Sequence, residues 1–260
     1  NVFLNEAKSM GADMIATGHY AKIAKYKDHF VLDTPKDNSK DQSYFLHALS
    51  SEQLSHVMFP LGDLTKKEVR EIARTHNLPV SDKKDSTGIC FIGNQKFDEF
   101  ITQHLKAIPG DIIDENGKVL GKHKGLVCYT LGQRKGIGLG GIKDNESENN
   151  THKPWYVAAK DVVNNTLTIV QNTNHPLLMS KNVEASHMHW VLEETPKVGD
   201  KLMAQVRYRQ QKQACTVVEA SDEKVVVEFD SPQRAVTLGQ SLVLYSGNYC
   251  LGGGFISYYK

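Results

Sequence analysis

The sequence of 260 residues has few cysteines and no long apolar run. Its four cysteines are far apart and form no Cys-x-x-Cys pair, which argues against a zinc site and against a disulfide framework. Separated thiols fit a reducing compartment better. No run approaches the roughly 20 apolar residues that span a bilayer, and no signal peptide is visible. We therefore expect a cytoplasmic protein, with an organelle matrix as the alternative.

An excess of either charge is also missing. Lysine and arginine number 31 against 30 aspartates and glutamates, so the formal net charge is only +1. Any surface for nucleic acid must then be a local basic patch. The chain is 40% hydrophobic and 23% charged, an ordinary globular composition. At roughly 100–200 residues per domain, its length predicts about two domains.

The first third of the chain alternates helix and strand. Residues 2–10 predict an amphipathic helix, and Met14–Thr17 predict a short buried strand that leads into a loop at Gly18 and His19. Residues 26–35 predict a small hairpin. Helices follow, and two of them begin at capping boxes with Ser50–Gln53 and Thr65–Glu68 spacing.

Strand patterns dominate after Pro109. Asn116–Gly117 and Asn164–Asn165 predict the turns of two hairpins, and residues 143–153 read as an exposed loop. Residues 201–209 alternate so regularly that Arg207 and Arg209 would share one strand face, with Tyr208 on the other. The later strands have the spacing of a small barrel or sandwich.

These patterns divide the chain into three parts. Residues 1–97 form an α/β segment, residues 98–172 a small mixed α and β domain, and residues 173–260 an all-β domain.

Cys90 is the most informative candidate for chemistry. It lies in the string DSTGICFIG, directly after Lys83 and Lys84. Nearby cations lower a thiol pKa and favour the reactive thiolate. Flanking glycines allow close approach to the backbone. The alternative is a buried cysteine that packs as a small apolar residue.

Two further polar segments are candidates for ligand contacts. Gly18 and His19 follow a predicted strand, and open α/β sheets bind ligands at strand ends. His19 could equally be a loop histidine with a local hydrogen bond. Lys40, Asp41 and Gln42 precede a helix; they could contact phosphate and a base edge, or Asp41 could simply cap the helix.

Basic residues are concentrated in two later segments. Residues 131–141 combine Arg134 and Lys135 with five glycines, and glycine-rich basic loops can grip phosphates, although a plain glycine-rich turn is the favoured interpretation. Arg207, Arg209 and Lys212 form the densest basic cluster, either an RNA contact or a solvated strand face. Gln240 is uninformative alone.

Together, these segments resemble one family, the tRNA-specific 2-thiouridylases. The resemblance is carried, in the family's order, by GADMIATGHYA, KDQSYFL, FPLGDLTKKEVREIA, KKDSTGICFIG, YTLGQRKGIGLGG, PWYV, VRYRQ and LGQSLVLY…CLGGG. These strings cover nearly the whole chain, and DSTGICFIG and TLGQRKG are highly specific. The resemblance implies a partial pyrophosphatase-type α/β domain of the adenine nucleotide alpha hydrolase kind, a tRNA-binding middle domain and a C-terminal β-barrel.

The resemblance also implies a mechanism. ATP, with Mg²⁺, would adenylate O2 of the wobble uridine of a tRNA, and a persulfide sulfur would then replace the activated oxygen. Cys90 matches the cysteine that carries the persulfide. A second, upstream cysteine would release the sulfur and could form a disulfide with Cys90. Sulfur suits this step because it is a strong nucleophile at neutral pH.

Binding roles and partners follow from the same resemblance. Gly18 is implied as an ATP contact. The sulfur would come from a cysteine desulfurase or a relay protein, and the usual substrates are the lysine, glutamate and glutamine tRNAs. The residues implied in tRNA binding are His19, Lys40, Asp41, Gln42, Arg207, Tyr208 and Gln240.

The sequence departs from the family in one respect. The ATP-gripping SGGxDS loop and the upstream cysteine do not occur in it. We expect a truncated chain in which both would lie before Asn1, and which neither hydrolyses ATP nor thiolates tRNA alone. The alternatives are a non-catalytic tRNA-binding module and a related enzyme such as a 4-thiouridine synthase.

Overall fold

The computed structural model describes residues 2–83, 97–139, 153–192 and 194–260. These residues form two compact units. Unit 1 combines the N-terminal segment up to Lys83 with residues 181–233 and 237–260. Unit 2 contains the described residues between 97 and 180, together with 234–236. Segments far apart in sequence therefore share one unit.

The N-terminal segment of unit 1 contains short helices. Both predicted capping boxes are confirmed, because the Ser50 and Thr65 hydroxyls accept N–H groups of Gln53 and Glu68, whose side chains return the bond. The helix begun by Thr65 ends as predicted before Asn77, which has a φ of +53°. The helices are α1 Val2–Ser9, α2 Ser43–Leu46, α3 Ser51–Leu54 and α4 Lys66–Thr75.

The predicted first strand is present but shorter than expected. It is β1, Ile15–Ala16, and it pairs in parallel with β4, Val57–Met58. The expectation that it is buried was wrong: Met14 and Met58 are 46% and 48% exposed. Within the described residues these two strands pair only with each other, so their sheet lacks the neighbours that would cover it.

The predicted hairpin is confirmed, and it extends the sheet of the C-terminal barrel. Its strands are β2, Lys22–Tyr26, and β3, His29–Asp33, and Asp33 pairs with Tyr249 of the barrel. This pairing attaches the N-terminal segment directly to the barrel.

Six strands within the described residues close into a barrel. Of the two predicted alternatives, the barrel is therefore confirmed and the sandwich is wrong. Their order is β13-β10-β11-β12-β9-β14, and β13 pairs with β14 to complete the ring. Buried Leu32, Tyr44, Val243, Tyr245 and Cys250 form part of a shared core between the barrel and the N-terminal segment. The strands are β9 Met179–Trp190, β10 Lys201–Gln205, β11 Gln213–Ala220, β12 Lys224–Arg234, β13 Ser241–Ser246 and β14 Tyr249–Tyr259.

The predicted alternation through residue 209 is wrong. Strand β10 ends at Gln205, and Arg209 has a φ of +64°, so Arg207 and Arg209 do not share a strand face. The Val206 N–H donates instead to the side-chain oxygen of Gln210 at 3.0 Å, which closes a turn in place of further strand pairing.

Unit 2 is built on a four-stranded mixed sheet of order β6-β5-β8-β7. The hairpin turns predicted at Asn116–Gly117 and Asn164–Asn165 are confirmed, with φ of +83° at Gly117 and +52° at Asn165. Residues 143–152 of the predicted loop lie outside the described residues. The elements are α5 Phe97–His104, β5 Gly110–Ile113, β6 Val119–His123, β7 Tyr156–Asp161 and β8 Thr166–Val170.

None of the helices in the described parts of the chain is both long and apolar enough to cross a membrane.

Candidate nucleic-acid interface

The cysteines divide into one candidate and three buried thiols. Cys90 lies outside the described residues, so its role stays a prediction. Cys128, Cys215 and Cys250 are free and buried. Burial raises the pKa of both Cys215 and Cys250 to about 12. These two thiols are protonated at neutral pH and are poor nucleophiles.

The loop after β1 exposes Gly18 and fixes the ring of His19. A Cβ at Gly18 would meet only the side chain of Leu61, at 3.9 Å. The His19 ring nitrogen Nδ1 lies 2.9 Å from Thr17 Oγ1, and the ring packs edge-to-face against Phe59 at 6.3 Å between centroids. The local hydrogen bond considered for His19 therefore exists, and it orients a half-buried ring.

Gln42 ties this loop to the Lys40–Gln42 segment. The Tyr20 N–H donates to the Gln42 side-chain oxygen at 2.9 Å, and the Gln42 N–H donates to the Tyr20 carbonyl at 2.9 Å. Both bonds join Tyr20 to Gln42. Because His19 directly precedes Tyr20, His19 and Gln42 are held close together.

The Asp41 carboxylate faces the protein. Its Oδ1 accepts the N–H of Ser43 at 2.8 Å, but the N-cap of α2 is Gln42, whose side chain makes no capping bond, so the alternative in which Asp41 is the N-cap was wrong. Its Oδ2 lies 3.8 Å from Lys212 Nζ, and the two side chains are only 11% and 18% exposed. Lys212 also donates to Thr34 Oγ1 at 2.8 Å and lies 3.8 Å from the Tyr245 ring centroid.

Lys212 is therefore not part of an exposed basic patch. Burial lowers its pKa, while Asp41 opposes that shift. The predicted basic cluster is therefore not one exposed patch: Arg209 is exposed, Arg207 is half-buried, and Lys212 belongs to a buried charge pair with Asp41.

Helix α2 is bonded to the barrel next to Gln240. The Tyr44 hydroxyl donates to the Ser241 carbonyl at 2.9 Å and accepts the Ser241 N–H at 3.2 Å. His47 Nε2 lies 3.0 Å from Ser241 Oγ. Gln240 precedes this residue and is exposed. The turn that carries Gln240 is thus fixed against the helix that follows Gln42.

Aromatic rings connect α2 to the Arg207–Tyr208 turn. The Tyr208 ring lies 4.3 Å from Phe45 and 6.3 Å from Tyr44 between centroids. Phe45 is 57% exposed, so this aromatic cluster reaches the surface. Burial raises the pKa of Tyr44, and the positive charge of Arg207 partly opposes the shift.

Four segments predicted separately from the sequence converge in unit 1. Lys40 is half-buried and ends a short helical turn immediately before Asp41. Neither the exposure of Phe45 nor the burial of Lys212 was predicted from the sequence. The string KDQSYFL did contain Phe45, but its exposure could not be inferred from a four-residue helix. The converging segments, which we call the interface, are His19, Lys40–Gln42, Arg207–Tyr208 and Gln240.

Models of known families match the chain in three consecutive parts. A tRNA methyl transferase HUP domain matches residues 1–94, a tRNA methyl transferase PRC-barrel domain residues 98–171, and an aminomethyltransferase beta-barrel domain residues 180–256. With the closed barrel and the interface, these matches define the class as a tRNA-modification protein that combines a HUP domain with two β-rich domains.

Curated relatives are similar over the whole chain. The tRNA-specific 2-thiouridylase MnmA 2 of Aliarcobacter butzleri is 94% identical over 260 residues, which are all of this chain and 71% of that protein. The MnmA proteins of Burkholderia ambifaria and Burkholderia multivorans are 50% identical over 98% of this chain. The chain spans 65% and 66% of their lengths, just under two thirds.

The chain belongs to the tRNA-specific 2-thiouridylase family. The descriptions of the matching family models mention methyl transfer, whereas the relatives are named for thiouridine formation. Because one relative is 94% identical, the relatives' names are the better guide to the family.

Proposed function

We propose that this chain is part of a tRNA-uridine 2-sulfurtransferase, which uses ATP to thiolate the wobble uridine of tRNA. The observation that carries the proposal is the convergence of the interface in a member of this family. A relative that is 94% identical is named for this reaction. We retain the division into residues 1–97, 98–172 and 173–260 as catalytic, central tRNA-binding and barrel domains.

The interface has the chemistry that single-stranded RNA requires. Proteins read unpaired RNA bases by stacking on aromatic or arginine side chains and by hydrogen bonds to base edges. Tyr208 and the adjacent Phe45 supply rings, Arg207 supplies a cation, and the amides of Gln42 and Gln240 supply both donors and acceptors. We propose that these groups hold the anticodon loop.

Asp41 would serve this surface without touching RNA. A carboxylate repels phosphate, and this one is 11% exposed and engaged with Ser43 and Lys212. We therefore propose that Asp41 positions its neighbours Lys40 and Gln42, and that these two make the contacts implied for the segment.

ATP would bind at the end of the parallel strands. Gly18 fits a nucleotide because it follows β1, is exposed and has no side chain to obstruct close approach. When bound with Mg²⁺, ATP would supply the adenylate that makes O2 of the uridine a leaving group. Within this chain, we propose Gly18 as a contact and His19 as a residue that orients the RNA beside it.

Cys90 is proposed as the sulfur carrier. Its persulfide sulfur would attack C2 of the uridine, and AMP would leave. The upstream cysteine implied by the family would then release the thiolated base and form a disulfide with Cys90. After a thiol reductant has reduced that disulfide, a cysteine desulfurase or relay protein would reload the Cys90 thiol with sulfur. We propose the lysine, glutamate and glutamine tRNAs as substrates and the cytoplasm as the compartment.

Nucleoside analysis tests the proposed reaction. The protein extended to the full length of its relatives is incubated with ATP, Mg²⁺, a persulfide donor and unmodified glutamate tRNA, and the digest is examined by mass spectrometry. We expect 2-thiouridine together with AMP and pyrophosphate. Detection of 4-thiouridine would favour a 4-thiouridine synthase, and tRNA binding without any thiolation would favour the non-catalytic module.

A further inference from the structure

A polar pocket of about 600 Å³ lies beside the interface in unit 1. Two of the segments that line it, residues 34–41 and 205–212, also contribute to the interface, and Asn248 completes the wall. Its volume falls within the roughly 300–1,000 Å³ of typical ligand sites. Unlike most such sites, it is lined by polar residues, so an apolar ligand would fit it poorly.

Hydrogen bonds fix the floor of this pocket. The Tyr245 hydroxyl donates to the Gln205 side-chain oxygen at 2.7 Å, and the Gln205 amide donates to the Gln210 carbonyl. The Gln210 amide donates to Gln233 at 2.6 Å. The Asp41–Lys212 pair forms the adjoining part of the floor. Because these groups bond one another, the floor is organised before any ligand arrives.

The rim offers groups that are not engaged. Asn38, Arg209, Gln211 and Asn248 are exposed, and their side chains make no hydrogen bond or ion pair within the part of the chain that the structure describes. Arg209 lies 5.4 Å above the Tyr208 ring. The three amides can each donate and accept, and the guanidinium can bond a phosphate through two N–H groups.

We propose that this pocket holds one unpaired nucleotide of the tRNA anticodon loop other than the wobble uridine. The inference rests on the proposed function. Arg209 contacts the phosphate, and the rim amides of Asn38, Gln211 and Asn248 bond the base edge. The charges of Asp41 and Lys212 offset each other, so Arg209 gives the pocket a positive balance that suits a phosphate.

A free mononucleotide has the same chemistry, but the surroundings favour RNA. Arg209 directly follows Tyr208, and Asp41 lies between Lys40 and Gln42, so pocket and interface are continuous along two segments. An RNA strand that stacks on the Tyr208–Phe45 cluster would reach Arg209 with its next phosphate.

Abasic scanning tests the pocket. The 260-residue chain is titrated with a synthetic anticodon stem-loop carrying one abasic site at each loop position in turn, and affinity is followed by fluorescence anisotropy at fixed salt. Besides any loss caused by an abasic site at the wobble position, we expect an abasic site at one other loop position to lower the affinity about five- to a hundredfold. The double variant Asn38→Ala/Gln211→Ala should bind the intact loop correspondingly less tightly and lose its sensitivity at that position alone.

Arg74→Ala is the control, because it also alters an exposed polar side chain but lies on α4. It should keep the wild-type profile. An unchanged profile in the double variant would overturn the pocket proposal. The proposal would also fail if uridine monophosphate displaced the stem-loop to the same extent wherever the abasic site lies. Failure of the wild-type chain to bind any stem-loop would instead contradict the proposed function itself.

Discussion

Lys212 is a charged residue that can serve the interface without reaching its surface. Its ammonium group lies between Asp41, Thr34 and the ring of Tyr245, and its side chain is 18% exposed. Removing one partner of a buried pair leaves the other charge desolvated, which costs more than the pair contributes. The position of the Lys40–Gln42 segment therefore depends on a residue some 170 positions later in the sequence.

We predict that Lys212→Met lowers the free energy of unfolding by on the order of 3 kcal/mol, because Asp41 would stay buried without its partner. Lys181→Met is the matched control. Lys181 lies closer to its carboxylate, 2.7 Å from Glu228, but the two side chains are 48% and 46% exposed, so its loss should cost less than about 1 kcal/mol. Urea denaturation measures both; equal losses would show that burial is not the deciding factor.

The half-buried His47 links the stability of the fold to pH. Burial lowers its pKa to about 4, with the neighbouring His189 adding to the shift. The unfolded chain then binds a proton that the folded chain does not, so this group makes stability rise with pH between about 4 and 6.5. An NMR titration should find the His47 ring titrating near 4, and His47→Gln should flatten the stability profile in that window. A titration near 6.5 would contradict the burial seen here.

At the scale of elements, strand β14 depends on its glycines. It pairs with both β13 and β9 and carries Gly252 at a φ of +140°. A Cβ there would collide with the carbonyl oxygen of His189. A Cβ at Gly253 would lie 2.6 Å from the Leu242 carbonyl oxygen and 2.9 Å from His47 Nδ1. The missing side chains are what allow the strand to close the barrel beneath His47.

Gly252→Ala should therefore destabilise the barrel by about 3 kcal/mol or more, since the colliding atom is backbone and cannot move freely. Gly247→Ala isolates the cost of the dihedral angle alone. Gly247 has a φ of +56° but nothing within 4 Å of an added Cβ, so its loss should be only about 1 kcal/mol. Thermal unfolding of the two variants distinguishes them, and similar transition temperatures would refute the steric account.

Elements could be predicted from the sequence where local chemistry determines them. The capping boxes at Ser50 and Thr65 and the turns at Asn116–Gly117 and Asn164–Asn165 need only neighbouring residues, and all are confirmed. The end of β10 could not be predicted, because the side chain of Gln210 replaces the expected ladder bond.

In the candidate site, too, local features could be predicted from the sequence and long-range contacts could not. Its separate segments were found from motifs, but their convergence depends on contacts such as Tyr44–Ser241 and Asp41–Lys212, which join residues about 200 and 170 positions apart. No local pattern encodes such contacts. Family resemblance supplied the expectation, while the physical reason for it appears only in the folded chain.

For the molecule as a whole, we expect tRNA binding to be separable from thiolation. The interface lies within unit 1 of this chain, whereas the family's SGGxDS loop does not occur in the sequence. We predict that the 260-residue chain binds unmodified glutamate tRNA, and that Arg207→Ala weakens this binding while Arg74→Ala does not. The same chain should produce neither AMP nor 2-thiouridine. Thiolation by the 260-residue chain alone would contradict this separation.

Thiolation by a Cys90 variant shows whether this cysteine carries the transferred sulfur. Full-length wild type, Cys90→Ser and the control Cys128→Ala are incubated with ATP, a persulfide donor and unmodified glutamate tRNA, and 2-thiouridine is quantified by mass spectrometry. Wild type and Cys128→Ala should thiolate, because Cys128 is a buried thiol. Cys90→Ser should bind tRNA with wild-type affinity and yield no 2-thiouridine. Equal thiolation by Cys90→Ser and wild type would contradict the proposed sulfur transfer.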